Sequence, residues 1–288
     1  AAMKESRQTQ IEKLSSEVNK LQGSGAPQGD DRFWKPEVDK SGNGHAIIRF
    51  LPAPNNEDVP FVRVFDHGFQ GPGGWFIEKS LTTLGQNDPV SEYNTTLWNS
   101  GVESSKDQAR KQKRRLSFIS NIYVVKDPTN PHNEGKVFLY KFGKKIFDKL
   151  NDQMNPEFED EKAVNPFDLW EGTSFRLKMR NVEGFRNYDK SEFDSPAPLL
   201  DDDAKLEEVW KGQYSLQEQI DPSQFKSYDE LKSRLYRVLA LDGGPQTSTA
   251  TVDEQYAPTP AATAPHVSAV DTADDDDESL SFFKKLAD

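Results

Sequence analysis

The sequence predicts a mainly β chain with flanking helices, an α+β class, and three observations predict it. Apolar, β-rich runs bounded by Pro, Asn and Gly recur up to residue 182. Apolar stripes at helical spacing take over after residue 200. At residue 242 the composition turns to Ala, Thr and Pro and then to acid, with little left to bury. The implied organisation is an N-terminal arm (1–29), a folded core (30–241) and a flexible linker with an acidic tail (242–288).

In chain order, Ile11, Leu14, Val18 and Leu21 share one face of a helix over 6–22, which the run from Gly23 to Gly29 ends. A short helix with one apolar stripe is marginal alone in water, so it is expected to dock on its own domain or on a neighbour. His45–Leu51 and Pro60–Phe65 read as strands. After a turn at Gly71–Gly74, Trp75–Lys79 reads as the returning strand. Leu116–Val125 and Val137–Phe142 follow, separated by the loop 127–135, and Lys144–Asn151 reads as a short helix. Over 173–182, Phe175, Leu177 and Met179 alternate with Arg176, Lys178 and Arg180, a strand buried on one side and cationic on the other. Asp201–Asp203 suit the start of a helix carrying Leu206, Val209 and Trp210. Tyr228–Leu241 places Leu231, Leu235, Val238 and Leu239 on one helical face and is expected to close at Gly243–Gly244. Residues 245–270 read as disordered linker, 271–278 as an acid cluster, and the end restores Leu280, Phe282, Phe283 and Leu286 beside Lys284 and Lys285.

Several chemistries are excluded or weak. No apolar run approaches the roughly 20 residues that span a bilayer, and no signal segment opens the chain, so neither a membrane nor secretion is expected. The absence of cysteine removes disulfides, thiolate metal sites and cysteine nucleophiles. Gly143-Lys144-Lys145 lacks the upstream glycine and the hydroxyl of a phosphate-binding loop, and neither G-x-S-x-G nor H-E-x-x-H occurs. The histidines at 45, 67, 132 and 266 are too scattered to read as a ligand set. Asp201-Asp202-Asp203 admits a two-metal nuclease site or, more simply, a solvated helix start. No catalytic residue and no enzyme activity are expected.

Charge carries the positive signal. The chain has a net charge of −12, yet residues 106–145 alone carry +8, against −4 for 1–105 and −8 for each of 146–241 and 242–288. Arg110, Lys111, Lys113, Arg114 and Arg115 lead into a strand with Phe118 and Tyr123. Lys126, Lys136, Lys141, Lys144 and Lys145 then interleave with Phe138, Tyr140, Phe142 and Phe147. Cations that track phosphates, with rings that stack on bases, suit a groove for an unpaired strand. Taken singly, each ring reads better as core; the combined pattern favours nucleic acid.

Gly42-Asn43-Gly44-His45-Ala46-Ile47-Ile48-Arg49-Phe50-Leu51-Pro52 resembles the start of the core in the single-stranded DNA-binding (helix-destabilising) proteins of T-even-type bacteriophages. Asp66-His67-Gly68-Phe69, Trp75, Val124–Pro128, Glu134–Phe138, Phe142–Ile146, Trp170-Glu171-Gly172 and Gly184–Asp189 follow in the same order, across roughly 35–240. The resemblance implies an OB-fold core and cooperative coating of single strands without strong sequence preference. It also implies roles in replication, recombination and repair in the cytoplasm of an infected bacterium. Carried over by position, Arg49, Trp75, Trp98, Lys113, Arg114, Phe118, Tyr140, Phe185 and Tyr188 fall on the DNA cleft. Arg110, Lys111, Arg115, Lys141 and Lys144 extend it.

The same resemblance implies neighbour contacts through the arm, where Lys4 and Arg7 remain of a basic-plus-hydroxyl motif. It implies recruitment of polymerase, helicase-loading and recombination-mediator proteins by the tail, through Asp274, Asp275, Asp276, Asp277, Phe282 and Phe283. The tail acids are expected to rest on the 106–145 cations until DNA displaces them. It further implies a structural zinc held by one His and three Cys. His67 matches the histidine, but Ser80, Asp88 and Ser91 stand at the cysteine positions. Hydroxyls are poor zinc ligands, so a zinc-free core without cofactor is expected, its loop 80–95 packed around Leu81, Leu84, Val90 and Tyr93. A site using His67 and Asp88 is the alternative there. The rival reading of the whole chain is a replication-machinery adapter whose basic block binds an acidic protein.

Overall fold

The computed structural model describes residues 30–158 and 160–241. The arm helix with Lys4 and Arg7, and the linker and tail with Asp274–Asp277, Phe282 and Phe283, lie outside the described residues. Asp30–Phe33 belongs to an N-terminal unit separate from Trp34 onward, and within it Arg32 pairs with Asp30 at 2.8 Å.

From Trp34 onward, short apolar runs become strands where a partner edge is available. β1 (Gly44–Phe50), β2 (Val62–Gly71) and β3 (Gly74–Lys79) precede two helices, α1 (Pro89–Asn99) and α2 (Glu103–Gln112). β4 (Arg115–Lys126), β5 (Val137–Phe142), α3 (Lys144–Met154), β6 (Phe175–Val182), β7 (Phe185–Asn187) and β8 (Glu192–Phe193) follow. The described chain ends with α4 (Asp203–Lys211) and α5 (Tyr228–Leu239). All pairings are antiparallel, in the order β3-β2-β4-β1-β6-β7, with β5 on β4 and β8 on β6.

β4 is the spine. Its first residues pair β2 (Asp66 opposite Arg115), its last pair β1 (Phe50 opposite Ile122), and its middle pairs β5 (Phe118 opposite Phe142). One long strand shared among three partners, with a register shift at Ile47/Ile48, curls the sheet into a half-barrel, the mainly β class expected. Ile48, Phe50, Phe118, Ile122, Phe142, Ile146, Leu150, Phe175 and Leu177 fill it. Asp127 secures the 127–133 loop by accepting from Trp34 Nε1 (2.9 Å), Asn130 N (3.1 Å) and Asn133 Nδ2 (3.1 Å).

A second core joins Phe69 and Phe76 of the β2–β3 hairpin to Leu81, Val90 and the α5 stripe Leu231, Leu235 and Val238, with Leu84 and Tyr93 packed against it. The loop expected over 80–95 is thus packed as anticipated, but half of it is helical. Asp88 caps α1 by accepting from Val90 N and Ser91 N, with Pro89 in the first turn. α2 had no apolar stripe to betray it, since only Ala109 and Gln112 are buried. α5 opens on a capping box between Ser227 and Glu230 and closes at Ala240, in the left-handed region (φ 52°), rather than at Gly243–Gly244.

Candidate nucleic-acid interface

Strand alternation sets the first part of the site. Directly opposed residues share a face, so Gln70/Trp75, Gly68/Ile77 and Asp66/Lys79 line one side of the hairpin, while Phe69 and Phe76 turn to the second core. Trp75 and Ile77 are 42% and 45% exposed, a considerable apolar area left in water. Arg115 lies on the same face because its register partner is Asp66. Its Nη2 is 3.2 Å from Asp66 Oδ1, and Lys141 Nζ reaches Asp66 Oδ2 at 2.5 Å. The Arg115 guanidinium lies over Gly68, where a Cβ would overlap it. Lys79 donates to Gln219 O at 3.0 Å and stands 5.1 Å from the Phe225 ring. Burial and then the Lys141 charge hold the Lys79 amine below the usual lysine range.

α5 fixes the hairpin that presents Trp75. Gly73 N donates to Val238 O at 2.8 Å, and a Cβ on Gly73 would overlap the Arg237 carbonyl. Glu78 binds Arg234 at 2.6 Å and Lys226 at 2.5 Å from the other side.

The rest of the basic block is spread over several elements. Trp98 of α1 is half-buried beneath α2, with Lys106 Nζ at 5.8 Å and Arg110 Cζ at 5.3 Å from its ring. Arg110 is also held by Glu103 (2.9 Å) and Asp107 (2.5 Å), which raise its pKa. Lys111 is exposed and Lys113 half-buried at the α2–β4 junction, where Arg114 stacks on Phe65 at 4.1 Å. Lys144, in the first turn of α3, pairs with Asp148 at 2.8 Å. Much of the expected +8 is therefore engaged by local carboxylates rather than bare.

Three of the residues carried over to the cleft have interior side chains. Arg49 is 1% exposed, and its Nη2 donates to Asp168 O (3.0 Å) and Ala197 O (2.7 Å). Burial lowers its pKa to about 10 against the opposing pull of Asp168. Phe118 is 3% exposed and stacks on Phe147 with centroids 3.9 Å apart. Tyr140, also 3% exposed, meets Trp34 edge-on at 5.2 Å, and burial pushes its phenol well above its usual pKa. Phe185 is 59% exposed at the start of β7, whereas Tyr188 packs partly into the main core. Ile77 and Lys79 were missed, although their places two and four residues after Trp75 in one strand were a usable signal.

The family model described as "gp32 DNA binding protein like" matches residues 42–239. The chain belongs to that DNA-binding family. The single-stranded DNA-binding protein of Enterobacteria phage T4 is 38% identical over 252 residues, covering 85% of this chain and 83% of the relative. That of Enterobacteria phage T2 is 38% identical over 251 residues, covering 84% and 82%. A single-stranded DNA-binding protein of Escherichia phage SV14 is 42% identical over 84 residues, 28% of this chain and 74% of the relative.

In this gp32-like chain the four positions that the resemblance assigns to zinc meet at Asp88, Ser91 through its backbone amide. His67 Nδ1 is 3.1 Å from Gln112 O, and its Nε2 is 3.1 Å from Asp88 Oδ1. Asp88 also accepts from Ser80 Oγ, Leu81 N, Val90 N and Ser91 N, each at 3.0 Å. Burial alone would raise the Asp88 pKa, but the hydrogen bond and charge of His67, the Ser91 amide and the Ser80 hydroxyl outweigh it and hold it at about 2. No three His, Cys, Asp or Glu side chains gather as a ligand set among the described residues. The donors present do not fit a tetrahedral zinc site. No described helix is long and apolar enough to cross a membrane.

Proposed function

We propose that this chain binds single-stranded DNA cooperatively and without strong sequence preference, coating it and removing hairpins during phage replication, recombination and repair. Binding only the unpaired form draws duplex melting forward by mass action. The observation that carries the reading is the hairpin face, where the solvent-exposed rings and side chains of Trp75 and Ile77 adjoin Arg115, Lys141 and Lys79 in a gp32-like chain. Trp75, Trp98 and Phe185 are the stacking rings, with Tyr188 behind them. Arg110, Lys111, Lys113, Arg114, Arg115, Lys141 and Lys144 track phosphates. Arg49, Phe118 and Tyr140 support the cleft from within.

In this reading the core folds without zinc and carries no catalysis. Lys4 and Arg7 of the arm serve neighbour contacts along the strand. Asp274–Asp277 with Phe282 and Phe283 recruit replication and recombination proteins in the host cytoplasm. The test is a tryptophan-fluorescence titration with oligo(dT). The expected result is quenching on the intact chain, with Trp75→Ala losing part of the quench and about 1–3 kcal/mol of affinity. Unquenched fluorescence together with no binding of oligo(dT) refutes the reading.

A further inference from the structure

We propose that Asp66 is a built-in stand-in for a DNA phosphate, occupying a phosphodiester subsite between β2, β4 and β5 until a strand arrives. The inference rests on the single-strand reading and adds to it one site and one residue that sets affinity. Asp66 is the only carboxylate paired with either Arg115 or Lys141 among the described residues, and it takes both, one on each oxygen, at 3.2 and 2.5 Å. Two cations paired with the two oxygens of one carboxylate, one of them through a hydrogen bond, is also how a phosphodiester is held.

The surroundings are shaped for an anion with more acceptors than a carboxylate offers. Arg115 Nε is buried with no hydrogen-bond partner among the described residues, so one donor of the fork is unused. Gly68, without a Cβ, lets the guanidinium lie directly against β2, where a side chain would displace it. Lys79, the cross-strand partner of Asp66, adds a third cation near Lys141. The group therefore holds positive charge in excess of its single acid. Trp75 and Ile77 continue the same face, where the base attached to that phosphate would lie. Asp66 side-chain exposure is 14%, against 36% for Lys141, so the lysine is the partner that a ligand in solvent reaches. An arriving phosphate takes Lys141 from Asp66.

The acid then has two effects. It keeps Arg115 and Lys141 in place in the free protein, and it lowers the affinity that they would otherwise give to any polyanion. The experiment is a salt-series titration of the full chain with oligo(dT), for wild type, Asp66→Asn and Asp66→Asn/Lys141→Gln. Near-ultraviolet circular dichroism confirms that each is folded. Asp66→Asn is expected to bind several-fold tighter at low salt, with the log–log salt slope steeper by about 0.7, the increment for one more phosphate contact on a single strand. Removing Lys141 in that background returns the slope to near the wild-type value. Unchanged or weaker binding by folded Asp66→Asn overturns the proposal. If wild type itself fails to bind oligo(dT), the single-strand reading falls first, and the two failures are told apart.

Discussion

Replacing Asp88 by alanine removes the acceptor for five hydrogen bonds at a residue 2% exposed, and this is the sharpest test of what closes the second core. The α1 cap contributes about 1 kcal/mol. The Ser80 hydroxyl, the Leu81 amide and His67 Nε2 are then left without their acceptor in the interior, at about 1 kcal/mol or more for each. The expected loss is about 4 kcal/mol, a large part of the roughly 5–15 kcal/mol that a domain has. Asp88→Asn keeps one acceptor oxygen for the cap and is expected to lose about half as much. Urea unfolding followed by circular dichroism measures both, with and without a strong chelator. The chelator is expected to change neither midpoint. A loss below about 1 kcal/mol for Asp88→Ala refutes the claim that this network holds the 80–91 segment to β2. A midpoint that falls with chelator refutes the claim that it does so without metal.

Three further predictions follow from single residues. Arg49→Met removes the two hydrogen bonds that tie β1 to the chain at Asp168 and Ala197 and is expected to cost about 2 kcal/mol of stability, while the folded fraction binds oligo(dT) as wild type does; a lost affinity at unchanged melting temperature would place Arg49 on the DNA. Ala240→Gly relieves a left-handed residue at φ 52° and is expected to add about 1 kcal/mol, read as a raised thermal midpoint. The Asp88 pKa is depressed from 3.8 to about 2, so its contribution is complete above pH 3.8 and lost as pH falls through about 2. That shift corresponds to about 2 kcal/mol, so between pH 5 and 2 the wild-type urea midpoint is expected to fall more steeply than that of Asp88→Asn.

Much of the fold was legible because strands with one apolar face and helices with one stripe announce their period. Trp75–Lys79, Val137–Phe142, the 173–182 strand and α5 lie where alternation and spacing put them. α1 was legible in principle from Asp88-Pro89, an N-cap followed by a residue suited to the first turn, but a loop expectation hid it. α2 was not, because its positions are held largely by ion pairs such as Glu103–Arg110 rather than by an apolar face. The site divides the same way. β4 is buried on both faces along most of its length, so nothing in its alternation tells a ring that packs from one that stacks, and Phe118 went inward. Arg49 alternates with Ile48 and Phe50 on a strand whose other face is covered by the chain near Asp168 and Ala197, a tertiary contact no local pattern contains. Asp66 carried no local mark, since the cations it holds come from β4 and β5.

The central claim is tested most directly by competing one mixed-sequence oligonucleotide against its own duplex over a range of salt. The account predicts preference for the unpaired strand, with affinity falling linearly on log–log axes as salt rises. Preference for the duplex, or affinity indifferent to salt, would contradict it.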